Sequence, residues 1–237
     1  MTQVPDDREV RLAQTSGSLP ADASEPGMFG VTGSGDTSGF SGLQRQPWVE
    51  FPAERPYGSY FDEVMDSFQA AYAGFDAAVQ KVVVDRGELT VYVAREYIAE
   101  VAQVLRDDAS LRFELLSSVS GVDYLSREGA EGTRLHVVYH VTSMTYRRRI
   151  RLEVAVSVAD PHLPSVTGVY PTADWQERET WDMFGVIFDG HPSLTRILMP
   201  DDWDGFPQRK DYPLGGVEIG YKDGAHIPPP DERRAYR

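Results

Sequence analysis

Arg134-Leu-His-Val-Val-Tyr-His-Val-Thr-Ser-Met-Thr-Tyr-Arg-Arg-Arg-Ile-Arg-Leu-Glu-Val-Ala-Val-Ser-Val158 decides the fold. Leu135, Val137, Tyr139 and Val141 alternate with Arg134, His136, Val138 and His140. After a turn over residues 143–146 the alternation resumes, with Ile150, Leu152, Val154, Val156 and Val158 on one face and Arg149, Arg151, Glu153 and Ser157 on the other. Successive side chains of a strand point to opposite faces, so this hairpin has one apolar wall and one polar wall. That is the habit of an antiparallel sheet with helices on one side.

The flanking segments supply the helices and the remaining strands. From Ser59, the residues Phe61, Val64, Met65, Phe68, Ala71, Tyr72 and Phe75 recur at three and four, which predicts a helix fading near Gln80. A hairpin follows, Val82–Val84 and Leu89–Val93 around Asp85-Arg86-Gly87, where Gly87 can take positive φ. A second helix is predicted from Arg95 to Arg106, and a strand from Leu115 to Tyr124 broken by Ser117, Ser118, Ser120 and Gly121. A third helix starts with Thr172 as N-cap and stops at Gly185. The fold class is therefore α+β: a mixed, largely antiparallel sheet with helices packed on one side, over residues 56–185. An extended carboxyl-terminal arm, 186–237, is expected after it. Residues 1–55, rich in Gly, Ser, Asp and Pro, are expected to form a flexible or partner-bound tail, with Phe40, Leu43, Trp48 and Phe51 favouring contact with a partner.

Composition removes whole classes of function. A net charge of −14 with only three lysines argues against a nucleic-acid or anionic-membrane surface. No run of eighteen apolar residues and no signal-peptide pattern occurs, so no membrane span and no secretion are expected, and the chain should be cytoplasmic in origin. There is no cysteine, which excludes the usual ligands of iron-sulfur clusters and most structural zinc sites.

The candidate chemical constellations each have an ordinary alternative. His136 and His140 share a strand face but lie about 13 Å apart at strand rise, too far to chelate one ion. Arg147, Arg148, Arg149 and Arg151 could form a phosphate patch, but the adjacent Arg148 and Arg149 point to opposite faces once the strand begins, and solvated or partner-facing salt-bridge donors are the expected use. Asp202, Asp204 and Gly205 resemble part of a calcium loop, but Pro200 stands where its first carboxylate belongs. The run Gly30-Val-Thr-Gly33-Ser-Gly35 lacks the spacing and preceding strand of a nucleotide loop. Glu177, Glu179 and Asp182 with His191 could serve a hydrolase, yet Glu177 and Glu179 face about 200° apart on a helix and form no close dyad. An Arg178–Asp182 pair at i, i+4 is the more ordinary use of that helix.

The stretch from Glu177 to Pro213 is the most specific part of the chain. It holds Glu177-Arg-Glu-Thr-Trp-Asp-Met-Phe-Gly185, Gly190-His-Pro192, Arg196-Ile-Leu198, Trp203-Asp-Gly-Phe-Pro207 and Arg209-Lys-Asp-Tyr-Pro213. Large aromatics interleaved with charges have the composition of a protein interface. In this order and spacing the stretch resembles the signature of the C subunit of NADH-quinone oxidoreductase, a peripheral-arm component of respiratory complex I. The resemblance weakens upstream towards Lys81 and after Leu214.

It implies a non-redox structural component packed against the D subunit, the chain whose fold helps form the quinone pocket, and against neighbouring cluster-bearing subunits. FMN, iron-sulfur clusters and quinone would belong to other chains, with this one carrying no cofactor. Its place would be peripheral, on the cytoplasmic side of the cell membrane. Glu177, Arg178, Glu179, Asp182, Phe184, His191, Arg196, Trp203, Arg209, Lys210, Asp211 and Tyr212 are then the expected partner interface. For Arg209 a local bridge to Asp202 or Asp204 is the competing use. The equivalent subunit of a membrane-bound hydrogenase or of a dehydrogenase with another donor is an alternative, and a freestanding hydrolase working near His191 is another.

Overall fold

The computed structural model describes residues 52–125 and 132–212. Most of the expected tail, the 126–131 part of one loop, and the last twenty-five residues with Pro213 lie outside the described residues. Of the positions assigned to the tail, Ala53 already donates its N–H to Val82 O of the sheet, and Arg55 pairs with Asp66.

The first helix, α1, spans Phe61–Ala71 and buries Phe61, Val64, Met65 and Phe68. Its start is fixed by Asp62, whose carboxylate accepts the backbone N–H of Tyr57 and of Gly58. The single helix expected to reach Gln80 is broken. Tyr72 turns extended, and after Gly74 a short α2, Phe75–Ala78, returns the Phe75 ring edge-on to Phe68 at 5.1 Å. Gly74 is a poor helix former and an easy place to break.

Strand β1, Val79–Asp85, therefore begins earlier than its apolar core suggests, and pairs with β2, Glu88–Val93. The turn is a two-residue one, with Arg86 at φ 49° and Gly87 at φ 77°, the left-handed pair that matches the twist of a hairpin. After a single 3-10 turn, α3 spans Ile98–Asp107 and buries Ile98, Val101, Ala102 and Leu105. Then come β3, Leu115–Asp123, β4, Leu135–Ser143, and β5, Arg148–Val156. The serine-rich interruption of β3 is a bulge between Leu116 and Ser118. Val158, expected in the strand, lies beyond its end and is exposed.

The sheet order is β1-β2-β5-β4-β3. A hairpin and a three-stranded meander meet at their β2 and β5 strands, which run parallel with Val91 opposite Leu152. All other pairs in this sheet are antiparallel, as the alternation predicted. Helices cover the face carrying Leu89, Val91, Leu135, Val137, Tyr139, Ile150, Leu152 and Val154, all buried in one core cluster.

The opposite face is less simple than its sequence. Glu153, expected on the polar wall, is fully buried. His136 Nδ1 lies 2.5 Å from one of its carboxylate oxygens and Arg151 Nη2 2.6 Å from the other. Burial opposes its charge, but the His136 hydrogen bond and Arg151 outweigh that cost and hold the carboxyl below its ordinary value. Tyr124 packs edge-on to His136 at 4.7 Å.

The last helix, α4, spans Ala173–Phe184 and lies against β3. Gly121 of β3 makes that approach possible: a Cβ there would sit 2.3 Å from the Phe184 ring. Gly121→Ala should destabilise the chain by about 1–3 kcal/mol through overpacking. Adding Phe184→Leu should recover part of that loss, which a double-mutant cycle by urea unfolding will show as non-additivity.

Candidate functional site

The conspicuous stretch is built around α4. Thr172 stands at the N-cap position as expected, but its hydroxyl donates to Leu116 O and makes no cap bond. Gly185 ends the helix at φ 75°. A Cβ at Gly185 would meet the Phe206 ring at 2.5 Å and Arg209 Nη2 at 2.6 Å, so glycine is required both for conformation and for contact. Two three-residue strands flank the helix and pair in parallel, β6 at His162–Pro164 and β7 at Ile187–Asp189. They are too short to show a period, and the sequence did not reveal them.

Residues 190–212 lack helix and strand, but they fold back on α4 instead of extending from it. Asp182 holds them. Its carboxylate accepts Arg196 Nη1 at 2.6 Å and the consecutive backbone N–H groups of Ile197, Leu198 and Met199 at 3.0, 2.8 and 2.9 Å. Burial works against the charge of this carboxyl, but the Met199, Leu198 and Ile197 amides and Arg196 together pull its pKa below the ordinary value. Arg196 also donates to Trp203 O at 2.8 Å and lies over the Trp181 ring.

The expected Arg178–Asp182 pair does not form, because the loop supplies Asp182 with four better donors. Arg178 instead donates to the carbonyls of Thr195 and Arg196, both at 3.1 Å, binding the same loop from the other side. The loop's far end closes the helix. Gln208 N–H reaches Met183 O, and Arg209 Nε reaches Phe184 O at 2.6 Å while its guanidinium stacks on Phe206. Gln208 and Arg209 thus satisfy two carbonyls left free at a helix C-terminus. Arg209 bridges neither Asp202 nor Asp204. Lys210 N–H bonds Asp123, Asp211 pairs with Arg134 at 2.6 Å, and Tyr212 donates to Asp204 O.

Glu177 faces inward and is fully buried. One carboxylate oxygen accepts the Ser165 hydroxyl at 2.6 Å and the other Val166 N–H at 2.8 Å. Burial nevertheless pushes its pKa up to about 7. The Tyr139 hydroxyl is also buried, without a hydrogen-bond partner, and its ionisation is disfavoured by burial and by Glu177. The His191 side chain is wholly covered: Nδ1 accepts Ser193 N–H and Nε2 donates to Asp174 O, both at 3.1 Å. With both ring nitrogens engaged and no exposed ring surface, His191 cannot serve as the shuttle of a hydrolase in this arrangement.

The expected interface residues therefore divide. The side chains of Glu177, Asp182, Phe184 and His191 are interior, and Arg178, Arg196, Trp203, Arg209 and Tyr212 are half-buried in contacts within the chain. Glu179, Lys210 and Asp211 are exposed. What the sequence reading missed is the outward apolar surface: Trp175 is 68% exposed beside Arg178, and Leu198, on the clasped loop, is 58% exposed. Ser165, Asp123 and Arg134 were also missed, since each acts on a residue far away in sequence. Among the described residues no group of three His, Cys, Asp or Glu side chains could hold a metal ion, and no helix is long and apolar enough to cross a membrane.

The fold and site define a class: a cysteine-free α+β module whose acids and arginines hold its own loop in one shape. Residues 91–218 match the family described as the respiratory-chain NADH dehydrogenase, 30 Kd subunit. The C subunit of NADH-quinone oxidoreductase from Salinispora arenicola (strain CNS-205) is 66% identical over 233 residues, 96% of this chain and 94% of its own. That of Saccharopolyspora erythraea is 63% identical over 236 residues, 97% of this chain and 93% of its own. The chain belongs to the C-subunit family of NADH-quinone oxidoreductase, respiratory complex I. The fold also resembles a chain in the membrane-bound sulfane sulfur reductase, an archaeal respiratory membrane complex, at TM-score 0.53 and 22% identity over 66% of this chain and 87% of that one.

Two outcomes follow from the site's acids. Asp182→Ala should cost about 3 kcal/mol or more in chemical unfolding, since it leaves the half-buried Arg196 without its acid and three amides without their acceptor, and Asp182→Asn should cost less. For Glu177, the folded-state pKa of about 7 lies above the ordinary 4.5. The folded chain therefore holds the proton more tightly, and this contribution to stability is complete below about pH 4.5 and lost as pH rises to about 7. Glu177→Gln should match the parent at low pH and exceed it above neutrality by on the order of 3 kcal/mol. Equal pH profiles of the two unfolding midpoints would contradict the assignment.

Proposed function

We propose that this chain is the non-redox structural component of the peripheral arm of a proton-translocating NADH:quinone oxidoreductase, and that it packs against the quinone-site D subunit. The observation that carries the proposal is the pairing of a locked loop with an outward Trp175 and Leu198. A tryptophan and a leucine this exposed have an unfavourable solvent contact that a neighbouring chain relieves, and a loop already fixed by Asp182 loses little freedom on docking. The chain lacks the cysteines that iron-sulfur clusters usually need; in this reading the clusters, FMN and quinone belong to other subunits, and electron transfer from NADH to quinone is an activity of the assembly. The chain is held at the cytoplasmic face of the membrane through those subunits.

Trp175→Asp tests the interface. Unfolding of the lone chain should change by no more than about 0.5 kcal/mol, as for an exposed site. Co-purification with the quinone-site subunit should fall, and NADH:quinone activity should fall in proportion to the complex recovered. Normal recovery of the complex would remove this face from the interface.

A further inference from the structure

Beside the β4–β5 turn the polar face of the sheet opens into a groove of about 920 Å³. Three arginines, Arg147, Arg148 and Arg149, line it against one acid, Glu88. On a chain of net charge −14, that is a local reversal of sign.

The three guanidinium groups are not equally engaged. Arg148 is paired with Glu63 and lies between the Tyr60 and Tyr146 rings, at 5.4 and 5.7 Å. Arg149 is 63% exposed and comes no nearer than 3.7 Å to Glu88, which His140 Nε2 approaches equally. Arg147 has no hydrogen bond or ion pair among the described residues and is exposed at φ 53°. The backbone that carries them is fixed. Tyr60 Oη donates to Arg149 O at 2.7 Å and accepts Arg149 N–H at 3.2 Å. On the far side of the turn, Glu114 accepts Met144 N–H at 3.0 Å and the Thr145 hydroxyl at 2.5 Å.

The floor is made of hydroxyl groups, with Ser117 Oγ 2.9 Å from Thr142 Oγ1 and Ser118 Oγ 2.9 Å from His140 Nδ1. Met144, 65% exposed, adds an apolar rim. A fixed concave groove with two underused guanidinium groups, a hydroxyl floor and one apolar rim suits an extended acidic peptide. Its carboxylates can take the planar guanidinium fork, and its backbone can reach the hydroxyls. An anionic bilayer fits less well, because the groove is concave and the acidic remainder of the chain would be repelled.

We propose that the groove beside the β4–β5 turn docks an acidic segment of a neighbouring polypeptide in the assembled complex, with Arg147 and Arg149 receiving its Asp or Glu side chains. This is a second contact, separate from the α4 surface, and its test does not depend on that surface. A photoreactive amino acid at position 144 in the assembled complex should crosslink to a neighbouring subunit. The captured segment should be rich in Asp and Glu. With Arg147→Glu and Arg149→Glu added, the crosslink yield should fall by about tenfold, as reversed charges face carboxylates. Should that pair impair folding of the chain, Arg147→Gln with Arg149→Gln decides by the same reading. Crosslinking to lipid, to a segment without acids, to nothing, or at unchanged yield in the variants would each overturn the proposal.

Discussion

The carboxylate of Asp182 is the constraint on which the functional half of the chain depends. A loop with so little repetitive structure has backbone amides to satisfy and few ladder partners, and here three consecutive amides and one guanidinium converge on one buried acid. The acid in turn needs that many donors, because an ionised carboxylate without them would not tolerate burial. Each side of the contact is stable only because of the other. The loop therefore has one shape.

The rest of the stretch follows from that fixed point. Arg178 holds the loop's carbonyls while Asp182 holds its amides, so both polarities of the backbone are met by side chains of one helix. Gly185 lets the chain reverse, and Arg209 returns to cap the helix with Phe206 beneath its guanidinium. Asp123 and Arg134 then fasten the far end to the sheet. Glu177 plays a different part: it joins α4 to the Ser165–Val166 segment while keeping a raised proton affinity. Acids that sequence alone offers equally to catalysis and to a partner are here internal fasteners.

How much of this was legible depended on the range of the interaction. The alternation of Leu135, Val137, Tyr139 and Val141, and of Ile150 to Val156, has a period a sequence displays, and it located the sheet and its apolar face. The break of the first helix at Tyr72–Gly74 was not visible, because the apolar spacing continues to Phe75 and only packing on Phe68 shows that the backbone has turned. Glu153 reads as a polar-wall residue by alternation and is buried because His136 and Arg151 close over it. The stretch from Glu177 to Pro213 announced itself by residue type. Which of its residues face in was undecidable from spacing, since Asp182 finds its partners fourteen to seventeen positions away, outside the i, i+4 range that favoured Arg178.

The central claim is that the loop is preformed and its outer surface is what a neighbour covers. Hydrogen exchange followed by mass spectrometry, on the full chain alone and in the assembled complex, tests it directly. Amides of 197–199 should be protected already in the lone chain, and protection around Trp175 and Leu198 should increase on assembly. Fast exchange of 197–199 in the lone chain, with protection gained only in the complex, would contradict the account and make the loop a product of assembly.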